Sequence, residues 1–165
     1  MKFTVSWLKD HLKTSANVND IVDSLNKIGL EVSSLKTYKT DVHNLKVAKV
    51  VDVKKHPNAD KLNVCTIQLS EVQTQVVCGA PNVNVNKKYV FAPSGTYIGG
   101  INLTLKKAVI RDIESDGMLC SEKELEISDN HDSIIELPDS IDLNENVSNY
   151  LGIDDSIIEI EITPN

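Results

Sequence analysis

The sequence predicts a mainly β protein with an α+β component, a small closed β-barrel inserted into a small α+β unit. Three observations predict it. Between residues 45 and 110 the apolar pattern runs in short strand-like stretches broken by turn residues, with Gly95, Gly99 and Gly100 between the later stretches. Ahead of them, Val18, Ile21, Val22, Leu25 and Ile28 fall on one face of a helix. After them, Ile157 to Thr163 alternates apolar and acidic residues, a strand for which the barrel has no partner left.

The elements follow in order. A short helix from about Ser6 to Leu12 is expected to set Trp7, Leu8 and Leu12 against the second helix, with Trp7 as a core anchor. Asn17 opens that second helix as its cap, and Gly29 closes it in a left-handed conformation with Leu30 folding back. Leu45 to Val53 suits a long, curved first strand, and His56-Pro57-Asn58-Ala59-Asp60 a turn. Leu62 to Leu69 and Val72 to Cys78, parted only by Ser70 and Glu71, pair as a hairpin. Tyr89 to Ala92 and Ile101 to Ile110 complete the barrel strands. Ser121-Glu122-Lys123-Glu124 has the form of a capping box and is expected to start a short helix. Residues 126 to 156 read as irregular chain with a brief strand at Ile134 to Leu137. The division expected is a discontinuous α+β domain of residues 1–39 and 151–165 around a barrel domain of residues 40–150.

Charge is segmental. Residues 1–35 carry four Lys and four acids; residues 36–123 carry twelve Lys, one Arg and eight acids, net +5; residues 124–165 carry twelve acids and no Lys or Arg, net −12, for a total of −7. The positive charge thus lies in the barrel, where a nucleic-acid partner would need it. Cys65, Cys78 and Cys120 are widely spaced, with no Cys-x-x-Cys pair, and are expected as reduced thiols without zinc. No apolar run approaches membrane-spanning length and no cleavable leader is visible, so a cytoplasmic protein without a membrane partner is expected. Ser94 and Ser115 lack a nucleophile-elbow pattern, no Gly-rich loop ends in Gly-Lys-Ser/Thr, and the four histidines are not at metal-ligand spacing. No catalytic residue is assigned.

Residues 56–62 read His-Pro-Asn-Ala-Asp-Lys-Leu, residues 78–82 Cys-Gly-Ala-Pro-Asn, and residues 115–125 Ser-Asp-Gly-Met-Leu-Cys-Ser-Glu-Lys-Glu-Leu. In this order they resemble the tRNA-binding domain of the EMAP-II type, which implies an oligonucleotide/oligosaccharide-binding (OB) barrel. Gly29-Leu30-Glu31-Val32 and Ile160-Glu161-Ile162-Thr163-Pro164-Asn165 extend the resemblance to the N-terminal part of bacterial phenylalanyl-tRNA synthetase β subunits. That resemblance implies a segment of a longer chain that helps position tRNA, while ATP, Mg²⁺ and phenylalanine are handled elsewhere in the enzyme. It also implies an α subunit as partner in an α2β2 assembly, and no cofactor within these residues. A free-standing tRNA-binding or chaperone-like barrel is the alternative, as is a subunit-packing module without RNA binding. Two positions depart from the family, which commonly has Ile-Arg-Gly and Glu-Leu-Gly where this chain has Asp112 and Glu126. Losing both glycines removes easy access to positive φ, and Asp112 lowers the potential beside Arg111, the only arginine.

A barrel that binds RNA needs cations for phosphates and planar side chains for exposed bases. Lys46, Lys49, Lys54, Lys55, Lys61, Lys87, Lys88, Lys106, Lys107 and Arg111 supply the first. The second is thin, because Tyr89, Phe91 and Tyr97 read more as core than as stacking platforms, so backbone recognition with weak sequence selectivity is expected. Lys54, Lys55, Asn58, Lys61, Lys106, Lys107 and Arg111 are the candidate contacts, although alternation turns one member of each Lys pair away on a regular strand. Asp60 and Lys61 either shape the turn or touch RNA. By resemblance Ser115 and Met118 lie near the tRNA surface; alternatively Gly117 makes a turn and Met118 plugs the barrel end.

Overall fold

The computed structural model describes residues 1–161, and the chain divides into two compact units, Met1–Tyr38 with the chain from Ile153, and Lys39–Gly152. In chain order the elements are β1 (Lys2–Thr4), α1 (Val5–His11), α2 (Val18–Lys27), β2 (Val32–Lys36), β3 (Lys46–Lys55), β4 (Asn63–Gln68), β5 (Gln73–Cys78) and β6 (Lys88–Ala92). There follow β7 (Tyr97–Ile98), β8 (Leu103–Thr104), β9 (Ala108–Ile110), β10 (Ile113–Ser115), β11 (Met118–Leu119), β12 (Glu136–Leu137), α3 (Val147–Leu151) and β13 (Ile157–Ile160).

In the first unit β13 is the middle strand of an antiparallel sheet, between β1 and β2. Its alternation sends Ile158 and Ile160 into a core with Val5 and Ile21, packed by Leu8, Val18, Val22 and Leu25. Glu159 points the other way, 3.3 Å from Lys2 Nζ and accepting the Ser34 hydroxyl at 3.0 Å. Ser34 first and Lys2 second hold its carboxyl below the usual glutamate range. Ile162 and Thr163, expected to continue this strand, lie outside the described residues. Asn17 caps α2 by accepting the Asp20 N–H at 3.0 Å. At the other end Gly29 takes φ +88°, and the Leu30 N–H reaches Leu25 O at 3.0 Å, closing a Schellman turn.

Trp7 is not a core anchor: it is 51% exposed and stacks on the surface between Phe3 and His11, with ring centroids 6.2 and 4.6 Å away. In a helix as short as α1 only Val5 and Leu8, three residues apart, share the inward face, and Trp7, two from Val5, turns outward. Leu12 and Ile28 are exposed for a related reason, since each is the C-cap of its helix and leaves the apolar stripe.

The second unit is a nearly closed barrel of the OB type, with strand order β11-β6-β3-β4-β5 and β12 on β6. A register shift between Val50 and Asp52 bends β3. The barrel closes between β5 and the β10 region, where the Asp116 N–H bonds Gln75 O at 2.9 Å and the Val77 N–H bonds Ser115 Oγ at 3.0 Å. Val50, Cys65, Ile67, Val76, Tyr89, Phe91 and Leu119 fill the interior. All three cysteines are free and buried, and burial pushes the Cys65 thiol up to about 12.

Three expectations for this unit are corrected. Ile101 to Ile110 is not one strand: Gly99–Ile101 forms a 3-10 turn and Asn102 is left-handed at φ +52°, so β8 pairs with β7 and β9 with β10. Ser121 starts turns, not a helix. Glu124 does accept the Ser121 N–H, half of a capping box, but Ser121 Oγ has no partner among the described residues and Glu126 at φ +61° stops helical propagation. Residues 126–156 also hold α3, capped by Asn146 and ended by Gly152 at φ +65°. Five residues are too few to show a helical period. Among the described residues, no helix is long and apolar enough to cross a membrane and no group of His, Cys, Asp and Glu is placed to hold a metal.

Candidate nucleic-acid interface

Pro57 and Asn58 turn the chain between β3 and β4, and His56, only 4% exposed, anchors that turn to a hairpin distant in sequence. Its Nδ1 accepts the Asn58 N–H at 3.1 Å, which places the ring hydrogen on Nε2, where it donates to Ile110 O at 2.9 Å. Arg111 and Asp112 are the two loop residues between β9 and β10, both left-handed at φ +48° and +73° as a type I′ turn requires. Asn58 Nδ2 donates to Arg111 O at 3.3 Å and to Asp112 Oδ2 at 3.2 Å, and Arg111 Nη1 donates back to Asn58 O at 3.0 Å. Positive φ is therefore reached at Asp112 without glycine, and the carboxylate expected to oppose Arg111 instead accepts from Asn58. The same holds at Glu126, whose carboxylate takes the N–H groups of Lys39 and Thr40 at 2.8 and 3.1 Å.

The cations fall into two sets. Lys55, Lys61 and Lys106 are exposed and, among the described residues, form no ion pair. Lys54 is exposed but lies 3.1 Å from Asp52, and Lys107 lies 3.0 Å from Asp116. Asp116 also accepts the Ser94 hydroxyl at 2.6 Å; that bond first, and Lys107 after it, holds its carboxyl below the usual range. Lys55 and Lys61 flank the turn that carries Asn58, and Arg111 joins it from the hairpin. Ser115 is buried, its hydroxyl spent on the Val77 N–H, and Met118 is half-buried in β11 opposite Ala92.

Lys87 and Lys88 are drawn off by the acidic stretch after the barrel. Lys87 Nζ sits 3.3 Å from Glu136 and 3.4 Å from Asp139, which raise its pKa. Lys88 Nζ donates to Asp139 O and Ile141 O at 2.7 and 2.5 Å. Sequence reasoning missed this because it requires β12 to pair with β6. The aromatic reading is plain: Tyr89 and Phe91 are buried, and the Tyr97 hydroxyl is bonded to Asn102. Also unforeseen is a groove of about 370 Å³ between β5 and the β9–β10 hairpin, lined by residues including Thr74, Gln75, Lys107, Val109, Glu114 and Asp116.

The family described as putative tRNA binding domain matches residues 45–146. Over its whole length the chain is similar to the phenylalanine–tRNA ligase β subunit of Mesorhizobium japonicum, 46% identical over 167 residues that make up 21% of that protein. It is likewise similar to that of Bartonella quintana, 45% identical over 166 residues, 20% of that protein. The chain thus spans about a fifth of the length of the curated relatives it matches. Among solved structures, a MetRS related protein from Pyrococcus horikoshii aligns with 62% of this chain and 87% of its own at 20% identity and a TM-score of 0.46.

Proposed function

Because the chain belongs to the putative tRNA-binding domain family, we propose that its barrel grips tRNA by the phosphate backbone, and does so as part of a phenylalanine–tRNA ligase β subunit. Similarity to such β subunits runs over 100% of the chain, beyond the matched residues 45–146, which supports this reading over a free-standing RNA-binding barrel. In it, residues 39–152 are the tRNA-binding domain and the flanking unit a discontinuous α+β domain. Aminoacylation, with its ATP and Mg²⁺, belongs to the rest of the enzyme, assembled with an α subunit as α2β2.

The observation that carries the proposal is the knot between Asn58 and Arg111, with Lys55 and Lys61 beside it. It fixes a guanidinium on a rigid turn, so little rotamer entropy is lost when a phosphate binds. Lys106 extends the cationic surface. Lys54 and Lys107 join after exchanging Asp52 and Asp116 for phosphate; exposed ion pairs are worth about 0–1 kcal/mol, so the exchange is inexpensive. Ser115 serves by sealing β10 to β5, and Met118 by closing the barrel surface beside Ala92. The test is binding of the purified chain to two unrelated tRNAs over a range of salt. A linear fall of log affinity with log salt, similar for both, is expected. No binding at low salt would sink the reading and favour a barrel that packs on protein, to which the ion-paired state of Lys54, Lys87 and Lys107 is suited.

A further inference from the structure

We propose that the groove between β5 and the β9–β10 hairpin takes one unpaired nucleobase and selects bases that carry an exocyclic amino group. This rests on the tRNA reading and deepens it by naming what the surface reads besides phosphate. The groove's volume, about 370 Å³, lies at the small end of ligand sites, as one base requires.

Its lining has an unusual composition for an RNA surface. Val109 is 67% exposed, a large apolar side chain in a position that ordinary folding would leave polar. Glu114 is its direct cross-strand partner on β10, so the two side chains stand on the same face, an apolar platform beside a carboxylate. Across the groove, Gln75 Nε2 is spent on Glu114 O at 2.8 Å, which leaves Oε1 as the end of that amide unengaged among the described residues, and Thr74 adds a hydroxyl. The rim is therefore rich in acceptors. The Glu114 carboxylate would repel a phosphate placed in the groove, so the lining suits a group that brings a hydrogen-bond donor. The amino groups of cytosine, adenine and guanine are such donors, and Glu, Asp and Gln side chains accept from them. Uracil has none. Lys106, in no ion pair among the described residues, is placed by sequence next to the rim to meet that nucleotide's phosphate.

The test uses the purified chain and three labelled homopolymers, oligoadenylate, oligocytidylate and oligouridylate, read by fluorescence anisotropy beside a tRNA control. Oligoadenylate and oligocytidylate should both bind about tenfold more tightly than oligouridylate, the discrimination of one good base contact. Glu114→Met should remove most of that preference while leaving oligouridylate binding unchanged or stronger. Thr74→Val is a second variant that keeps the strand's shape. Three equal affinities, or a preference for adenylate alone as stacking would give, overturn the proposal while tRNA binding upholds the backbone reading. A preference that survives both variants overturns it too. Loss of tRNA and homopolymer binding together would take down both. Binding of oligolysine that Glu114→Met abolishes, with no homopolymer bound, would assign the groove to a basic peptide instead.

Discussion

Glu126 is tied twice to Thr40: its carboxylate accepts the Thr40 backbone N–H at 3.1 Å and the Thr40 hydroxyl at 3.3 Å. The same oxygen takes the Lys39 N–H at 2.8 Å, and Thr40 Oγ1 passes the chain on by accepting the Gly99 N–H at 2.8 Å. The approach to β3 is thereby satisfied from a residue that itself sits in the left-handed region.

Two opposing effects meet at that position and can be separated. Glu126→Ala removes charge-assisted hydrogen bonds while keeping a side chain at positive φ, and should cost about 2 kcal/mol. Glu126→Gly loses the same bonds but relieves the left-handed strain, so it should be milder by about 1 kcal/mol. Urea unfolding of the two variants gives the difference directly; equal costs would mean that the strain is negligible.

Gly117 turns the chain from β10 to β11 at φ +97°, and a Cβ there would meet Ala92 O and the Phe91 ring. Gly117→Ala should therefore destabilise by roughly 3 kcal/mol or more, strain and overpacking acting together. Thermal unfolding monitored by circular dichroism would check it, against Gly95→Ala, where φ is also positive but none of the described residues lies within 4 Å of the added Cβ.

The thiols should be silent in the folded protein. The Cys65 pKa is pushed up to about 12 by burial, and burial also raises Cys78 and Cys120. A raised pKa keeps the group protonated below that value, so at pH 8 the thiolate needed for alkylation is scarce. Iodoacetamide should modify none of the three at pH 8 without denaturant and all three in guanidinium. Fast labelling of the native protein would contradict the burial.

For the RNA surface, replacing Lys106 and Lys107 together with Glu should weaken two unrelated tRNAs equally, since phosphate contacts carry no sequence information. Each lost contact removes about one unit of slope in a plot of log affinity against log salt, so the double variant should lose about one to two. Unchanged affinity and slope would mark both lysines as merely solvated.

Local patterns carried much of the architecture. The helix face from Val18 to Leu25, its Asn17 cap and Gly29 stop, and the alternation of Ile158, Glu159 and Ile160 are each set by neighbours in sequence. What failed depended on distant chain. Nothing near Ile101 to Ile110 announces that Gly100 must lie against the backbone of Lys123 and Glu124, where a Cβ could not fit, or that Asn102 turns left-handed there. Trp7 misled because residue type suggested the interior while the two-residue offset from Val5 put it outside. At the candidate site the charged turn could be read from residues 54–61, but its bond to Arg111 spans 53 positions. The removal of Lys87 and Lys88 by Glu136 and Asp139 required a strand pairing that no local signal fixed.

That last feature makes the barrel electrically two-ended. Residues 124–152 hold eight carboxylates and no Lys or Arg, and their strand lies on β6, where Lys88 faces Lys49 of β3. Lys55, at the cationic turn, is six residues further along β3, roughly 20 Å away. The Debye length is about 8 Å at physiological salt, so the acidic end scarcely offsets the turn there, although salt weakens the pull of the turn itself. In dilute salt both fields reach outward together. A polyanion drifting in would then experience a torque as well as a pull, and would arrive already facing the turn.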